Sequence, residues 1–301
     1  MSVSLRLLSS HFAKKEVKIL NRSILKIVSV LITSAACVIA CAPVFLILTG
    51  AITGKYELME VLSGIWNEQG RTDFMLVPSF PTLWGFVELF LDKPEFYIVF
   101  WNSVKLTAAI VLGQIFFAVP AAWGFSRWHG AVSSLLYDLY VILMLLPFQV
   151  TMLSDYMVAD YFAILDTHAA IILPAMYATF PVIIIYRSFL GIPEELYEAC
   201  SLDSGGSWHM FWRIGVPLAL PGIKAAALLS AIEYWNMIEQ PLLFLKTPSL
   251  WPLSIYLPAV DSEHVPYIFV YSLMVLAPMV LLLFCGKDEL RNGIGTLALK
   301  E

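Results

Sequence analysis

The chain predicts an all-α polytopic membrane protein with six transmembrane helices, and three observations carry that prediction. Of its 301 residues, 59% are hydrophobic and 14% charged, against about 25% charged in a typical soluble domain. Six segments, roughly 27–50, 98–123, 133–154, 168–190, 221–245 and 265–285, are long and apolar enough to cross a bilayer. Backbone polar groups in lipid must pair within their own segment, so the six spans are read as helices.

The N-terminal segment, 1–26, is polar and basic, with Arg6, Lys14, Lys15, Lys18, Arg22 and Lys26. It does not read as a cleaved signal, because the apolar run after Lys26 is long enough to span. The first span and a long loop follow, together 27–97. The loop, 51–97, holds seven acids (Glu57, Glu60, Glu68, Asp73, Glu88, Asp92 and Glu95) and several aromatics, and short amphipathic structure is expected there. Residues 98–285 hold the remaining five spans, and 286–301 form a tail. Of the 18 Lys and Arg residues, 13 fall on one side: the six above, then Arg127, Arg187, Arg213, Lys224, Lys287, Arg291 and Lys300. The positive-inside rule places that side, with both termini and a polar insert at 191–220, in the cytoplasm. The 51–97 loop then lies outside.

The insert is expected to form a helix–turn–helix. Pro193 suits a first helical turn, and Glu194 and Glu195 favour a helix N-terminus. Leu196, Ala199 and Cys200 stand at i, i+3 and i+4, one apolar face. Asp203-Ser204-Gly205-Gly206 breaks the helix, and Ser207 caps the next one. Trp208, Phe211 and Trp212 repeat the spacing, and Pro217 and Pro221 punctuate the start of the fifth span. Two readings stand side by side: an interfacial helix pair anchored by its aromatics, and a knob that fills a groove on another protein.

The fifth span carries Glu233, Asn236, Glu239 and Gln240 within one third of a continuous helix. A carboxylate in the membrane costs about 2.5–3.5 kcal/mol on insertion scales, so this stripe is expected to face protein or water. A wall of a translocation path, helix–helix glue and a solvated outer end are the three readings. Gln149 and Tyr177 are weaker path candidates, with Phe180, Tyr234 and Trp235 behind them.

Several function classes drop out. Gly50 to Lys55, GAITGK, is one residue too short between its glycines for a phosphate loop, and no Ser or Thr follows the lysine. HExxH and GxSxG are absent. The four cysteines, Cys37, Cys41, Cys200 and Cys285, and the five scattered histidines suggest neither a metal site nor a structural disulfide. No basic stripe suits nucleic acid.

The insert resembles the cytoplasmic coupling loop of binding-protein-dependent ABC importer permeases. That family's pattern runs Glu-Ala-Ala, three residues, Gly, nine residues, Ile-x-Leu-Pro. Glu198, Ala199, Ile214 and Pro217 match it at the right spacing. Cys200, Ser204 and Val216 depart from it, and the glycine comes one place late, at Gly205. Further markers follow in order: Pro81-Thr82-Leu83, Asn102-Ser103, Leu146-Pro147, Leu173-Pro174, Trp235-Asn236 and the Gly293–Lys300 tail. The resemblance covers about residues 75–301 and is strongest to the shorter maltose-permease-type subunit of the carbohydrate branch.

The resemblance implies a type I ABC importer permease fold in the cytoplasmic (inner) membrane of a prokaryote. It implies a second homologous permease, two ATPase subunits and an extracytoplasmic solute-binding protein as partners, with membrane lipid around them. Glu194, Glu198, Ala199, Asp203, Gly205, Trp208, Phe211, Ile214 and Pro217 become the expected ATPase-coupling residues. No cofactor and no catalytic residue is expected in this chain; ATP and magnesium belong to the ATPase. The cargo is expected to be a sugar or oligosaccharide, the alternatives being glycerol phosphate, a polyamine or an amino acid. A proton-coupled secondary carrier is the reading from another class, with the span-five acids as its proton sites.

Overall fold

The computed structural model describes residues 2–66, 77–128, 130–202, 206–256 and 265–298. They form α1 (Ser2–Ala51), α2 (Lys55–Trp66), α3 (Trp84–Val87), α4 (Glu95–Arg127), α5 (Ala131–Leu145), α6 (Phe148–Tyr161) and α7 (Ala169–Ala175). They continue as α8 (Thr179–Leu190), α9 (Glu194–Leu202), α10 (Ser207–Met210), α11 (Val216–Trp235), α12 (Glu239–Phe244) and α13 (Val265–Ala298). Five runs are long and apolar enough to cross a membrane: Lys26–Ala51, Glu95–Arg127, Ala169–Leu190, Ser207–Trp235 and Ile268–Arg291. The bent pair α5 and α6 passes the same test only when taken together.

Two expectations about spans need correction. The segment expected as one helix over 133–154 is bent by 100° between α5 and α6. Pro147 causes the bend: it has no N–H to give, and it pushes Leu146 into extended backbone (φ −74, ψ 121). The fifth span does not run to 245 but ends at Trp235. Asn236 donates Nδ2 to the Ile232 carbonyl at 2.9 Å, a side chain competing with the helix's own ladder. Pro241 then forbids a helical bond back to residue 237, so α12 starts as a separate turn.

The chain divides into two compact units. In the first (residues 1–85 and 265–270), the Glu57 carboxylate accepts the Ser79 N–H at 2.6 Å and the Phe80 N–H at 3.2 Å. The Ser79 N–H holds the Glu57 carboxyl below its usual range. Thr82 N–H donates to the Ile52 carbonyl at 2.7 Å, so the segment 79–82 is tied both to α2 and to the turn that precedes it.

In the second unit (residues 86–264 and 271–301), α4 is the central helix and packs on α8 and α11. Ala118, Val119 and Ala122 meet Val182, Ile185 and Phe189 of α8 and Ala219, Ile223 and Ala226 of α11. Apolar burial gives helices little reason to associate in lipid, so close van der Waals fit carries the packing. Small residues permit that fit. A Cβ on Gly222 would lie 1.7 Å from Ser188 Oγ, and one on Gly215 would lie 2.6 Å from the Trp123 ring.

Polar side chains lock the loops onto this core. Asn102 Nδ2 donates to the Ser249 and Trp251 carbonyls at 2.8 and 3.1 Å, and Ser103 Oγ accepts the Leu253 N–H at 2.7 Å. Asp166, in the left-handed region at φ 57, sits between α6 and α7. Its carboxylate accepts the backbone N–H groups of Lys246 and Thr247 at 2.8 and 2.9 Å and the Thr247 hydroxyl at 2.6 Å. The Thr247 hydroxyl leads these bonds in holding the Asp166 carboxyl below its ordinary value of 3.8. A depressed carboxyl stabilises the fold above its unfolded value. That contribution is lost as pH falls below 3.8 and is gone once pH passes the lower folded value. Asp166→Asn is therefore expected to flatten the acid limb of stability. Proteolysis of the 245–251 segment against pH reads this, and identical acid limbs in both proteins would refute it.

Candidate functional site

The polar insert is built on the end of α4. Gly191 closes α8, its N–H bonded to the Arg187 carbonyl at 3.1 Å, and Pro193 leads into α9. Arg127, the last residue of α4, grips Glu194 with a two-pronged pair: Nη1 to Oε2 and Nη2 to Oε1, both 2.8 Å. The guanidinium also lies 4.3 Å from the centre of the Tyr197 ring. Tyr197 is 2% exposed and packs edge-on to Trp123 at 5.6 Å. Trp123 in turn touches Phe189 at 5.3 Å and Phe211 at 5.5 Å, which makes it the hub of the insert. Burial pushes the Tyr197 phenol above its ordinary range, against the nearby Arg127 charge. Its hydroxyl has no hydrogen-bond partner among the described residues.

This geometry corrects two faces. The inner side of α9 is Tyr197 and Cys200, whereas Leu196 and Ala199 are exposed. The aromatic trio also divides. Phe211 is 3% exposed and points into the permanent packing, while Trp208 (72%) and Trp212 (53%) stand outward. Spacing at i, i+3 and i+4 defines a stripe, but the Trp123 ring picks out only Phe211 from it. A third correction concerns the join to the fifth span. Pro217 and Pro221 do not interrupt it, and Ser207–Trp235 runs on as one span. A π-helical turn over Phe211–Gly215 precedes α11 and places Pro217 in its first turn, where no N–H is needed.

Of the other residues expected here, Glu194 carries the Arg127 pair, Glu198 is exposed, Ile214 is half-buried and Pro217 is exposed. Asp203 and Gly205 lie outside the described residues. The outward surface is thus Glu198, Ala199, Leu202, Trp208 and Trp212 on a frame held by Arg127, Tyr197, Trp123 and Phe211. Sequence reading missed that frame, since Arg127 and Glu194 lie 67 residues apart.

A second site is a cleft of ≈ 290 Å³ within the second unit. Glu233, Tyr234 and Gln240 line it, with Asp155 and Thr151 of α6 and Thr179 of α8. The expected single stripe is dissolved, because the helix breaks between Trp235 and Glu239. Glu233 and Gln240 still reach the cleft from different helices. Glu239 instead accepts a hydrogen bond from Gln149 Nε2 at 2.6 Å. Asn236 is occupied in capping its own helix. Tyr177 is 62% exposed and stacks on Phe117 at 4.6 Å, away from the cleft lining. Asp155 was overlooked because the span through 154 hid a second helix. Read from Pro147 onward, Phe148, Thr151 and Asp155 stand at i, i+3 and i+7, one face of α6.

Residues 114–287 match a protein-family model described as binding-protein-dependent transport system inner membrane component. The chain is 31% identical over 220 residues to Protein LplC of Bacillus subtilis, covering 72% of this chain and 73% of that one. It is 26% identical over 208 residues to the arabinooligosaccharides transport system permease protein AraQ of Halalkalibacterium halodurans, with coverages of 68% and 75%. Among solved structures, it superposes on a chain of a bacterial ABC transporter involved in the import of the acidic polysaccharide alginate. That superposition has a TM-score of 0.75 at 19% identity and covers 88% of this chain and 96% of the other.

Proposed function

Because the chain belongs to the family of binding-protein-dependent transport system inner membrane components, we propose that it is the permease subunit through which an ATP-driven importer carries a sugar or oligosaccharide into the cytoplasm. The observation that carries this reading is the braced insert: an exposed Glu198, Leu202, Trp208 and Trp212 surface on a rigid frame at the ends of α4 and α8. A knob of that kind transmits a push, because the Arg127–Glu194 pair and the Trp123 hub couple its movement to the central helices. The saccharide class is supported by a relative named for arabinooligosaccharides.

In this reading a second, homologous permease completes the membrane pair, and two ATPase subunits sit beneath, one of them holding Glu194–Pro217. ATP and magnesium act there, and this chain supplies no catalytic group. A soluble binding protein delivers solute from outside, where the loops braced by Asp166 and Asn102 form a firm platform. The charge distribution supports cytoplasmic termini. ATPase closure would then swing the helices between outward and inward access.

Reconstitution with the partner permease, ATPases and binding protein in sealed vesicles tests the proposal. Uptake is expected to require both ATP and the binding protein. Uptake driven by a proton gradient alone, without the ATPases, would replace it with a secondary carrier.

A further inference from the structure

Family membership leaves the charge of the solute open, and the chemistry of the cleft bears on it. Three helix breaks meet there: the bend at Leu146 and Pro147, residues 176–178 between α7 and α8, and residues 236–238 between α11 and α12. Lining residues Leu146, Ala178, Tyr234 and Gln240 flank those breaks. Broken backbone at membrane depth persists only inside protein or beside a watery cavity. Transporters build solute sites from such discontinuous helices. The volume is at the small end of the ~300–1,000 Å³ typical of small-molecule pockets, enough for a sugar ring or two.

The lining holds two carboxylates, Asp155 and Glu233, and no Lys, Arg or His. Among the described residues neither carboxylate has an ion pair or hydrogen bond of its own. Thr151, Thr179 and Gln240 add neutral polar groups, and Phe148, Phe180 and Phe244 add ring faces for the apolar sides of a sugar. We infer that this cleft admits saccharides rich in hydroxyl or ammonium donors and excludes anionic ones, the uronates and sugar phosphates. An ionised carboxylate only accepts hydrogen bonds, so its partner must bring donors. An anionic solute brings acceptors and like charge instead. Selection of this kind works through rejection. The inference rests on the reading of the chain as a permease with the cleft on its solute path.

The test measures direct binding to the permease–ATPase complex in nanodiscs, with the binding protein omitted so that the cleft alone is read. The probes are xylotriose, a glucosamine trimer and trigalacturonate. The two donor-rich probes are expected to bind, with trigalacturonate about tenfold weaker or worse. In the isosteric double variant Asp155→Asn, Glu233→Gln, the gap is expected to close to about twofold, with the glucosamine trimer losing most. Trigalacturonate binding as well as xylotriose, an unchanged gap in the variant, or no binding by any probe would each overturn the inference. ATPase co-purification with the same samples separates the two readings. Its loss in the unaltered complex strikes at the permease assignment, while its retention leaves any failure with the cleft.

Discussion

Trp208→Ala with Trp212→Ala, or Glu198→Lys alone, is expected to release the ATPase and abolish uptake while leaving the membrane helices folded. The three side chains are exposed; the two Trp rings meet edge-on at 5.9 Å and rest on the outer side of Phe211 at 5.6 and 4.9 Å. Large exposed aromatics at a protein contact are hot-spot residues, each worth about 2 kcal/mol or more on truncation. That corresponds to roughly 30-fold weaker docking. Phe211→Ala makes the contrast. Phe211 is buried against Trp123, so its loss leaves a cavity costing about 3–5 kcal/mol and lowers the thermal stability of the permease itself. Co-purification of the ATPase, uptake and melting temperature distinguish the two kinds of defect. If the double Trp variant kept both its ATPase and its uptake, the docking surface would lie elsewhere.

Gly222→Val is expected to prevent stable folding, for a reason confined to one helix contact. A Cβ at Gly222 would lie 1.7 Å from Ser188 Oγ and 2.6 Å from Ser188 Cβ. The hydroxyl is bonded back to the Ile184 carbonyl at 3.3 Å, and Ser188 itself is buried, so it has little room to withdraw. Overpacking of a tight core costs about 1–3 kcal/mol, and here α8 and α11 would have to move apart. The sign discriminates. In a helix with space, replacing Gly with Ala gains about 0.8–1.0 kcal/mol from propensity. Gly124 on α4 has nothing within 4 Å of its added Cβ, so Gly124→Ala is expected to be neutral or stabilising. Gly222→Ala is expected to lower the melting temperature, and Ser188→Gly in the same chain to restore part of it, a coupling that independent sites do not show. Equal melting temperatures for Gly124→Ala and Gly222→Ala would refute the contact.

The insert and the cleft show how far local reasoning reaches. Pro193 with Glu194 and Glu195 marks a helix start, and α9 begins at Glu194. The Pro at 147 was legible too, but read as a family marker rather than as a break, and Asp155 was lost with it. The division of the aromatic trio was not legible, because Trp208, Phe211 and Trp212 share one apolar stripe and only Trp123 selects Phe211 as the buried member.

The sequence alone determined that this is a helical membrane protein, the order of its spans, the place of its polar insert and its likeness to importer permeases. Those properties depend on segment length, charge count and short motifs, and each is written within a few tens of residues. Tertiary structure alone decided which side of each helix turns inward, that Asn102 and Ser103 clamp residues 249–253, and that Asp155 and Glu233 share one cleft. In water, hydrophobicity marks the inner face of a helix. In lipid both faces are apolar, so periodicity is silent. The inner face is then chosen by shape, at a glycine against a serine or an arginine against a distant glutamate, and those fits exist only once the helices have met.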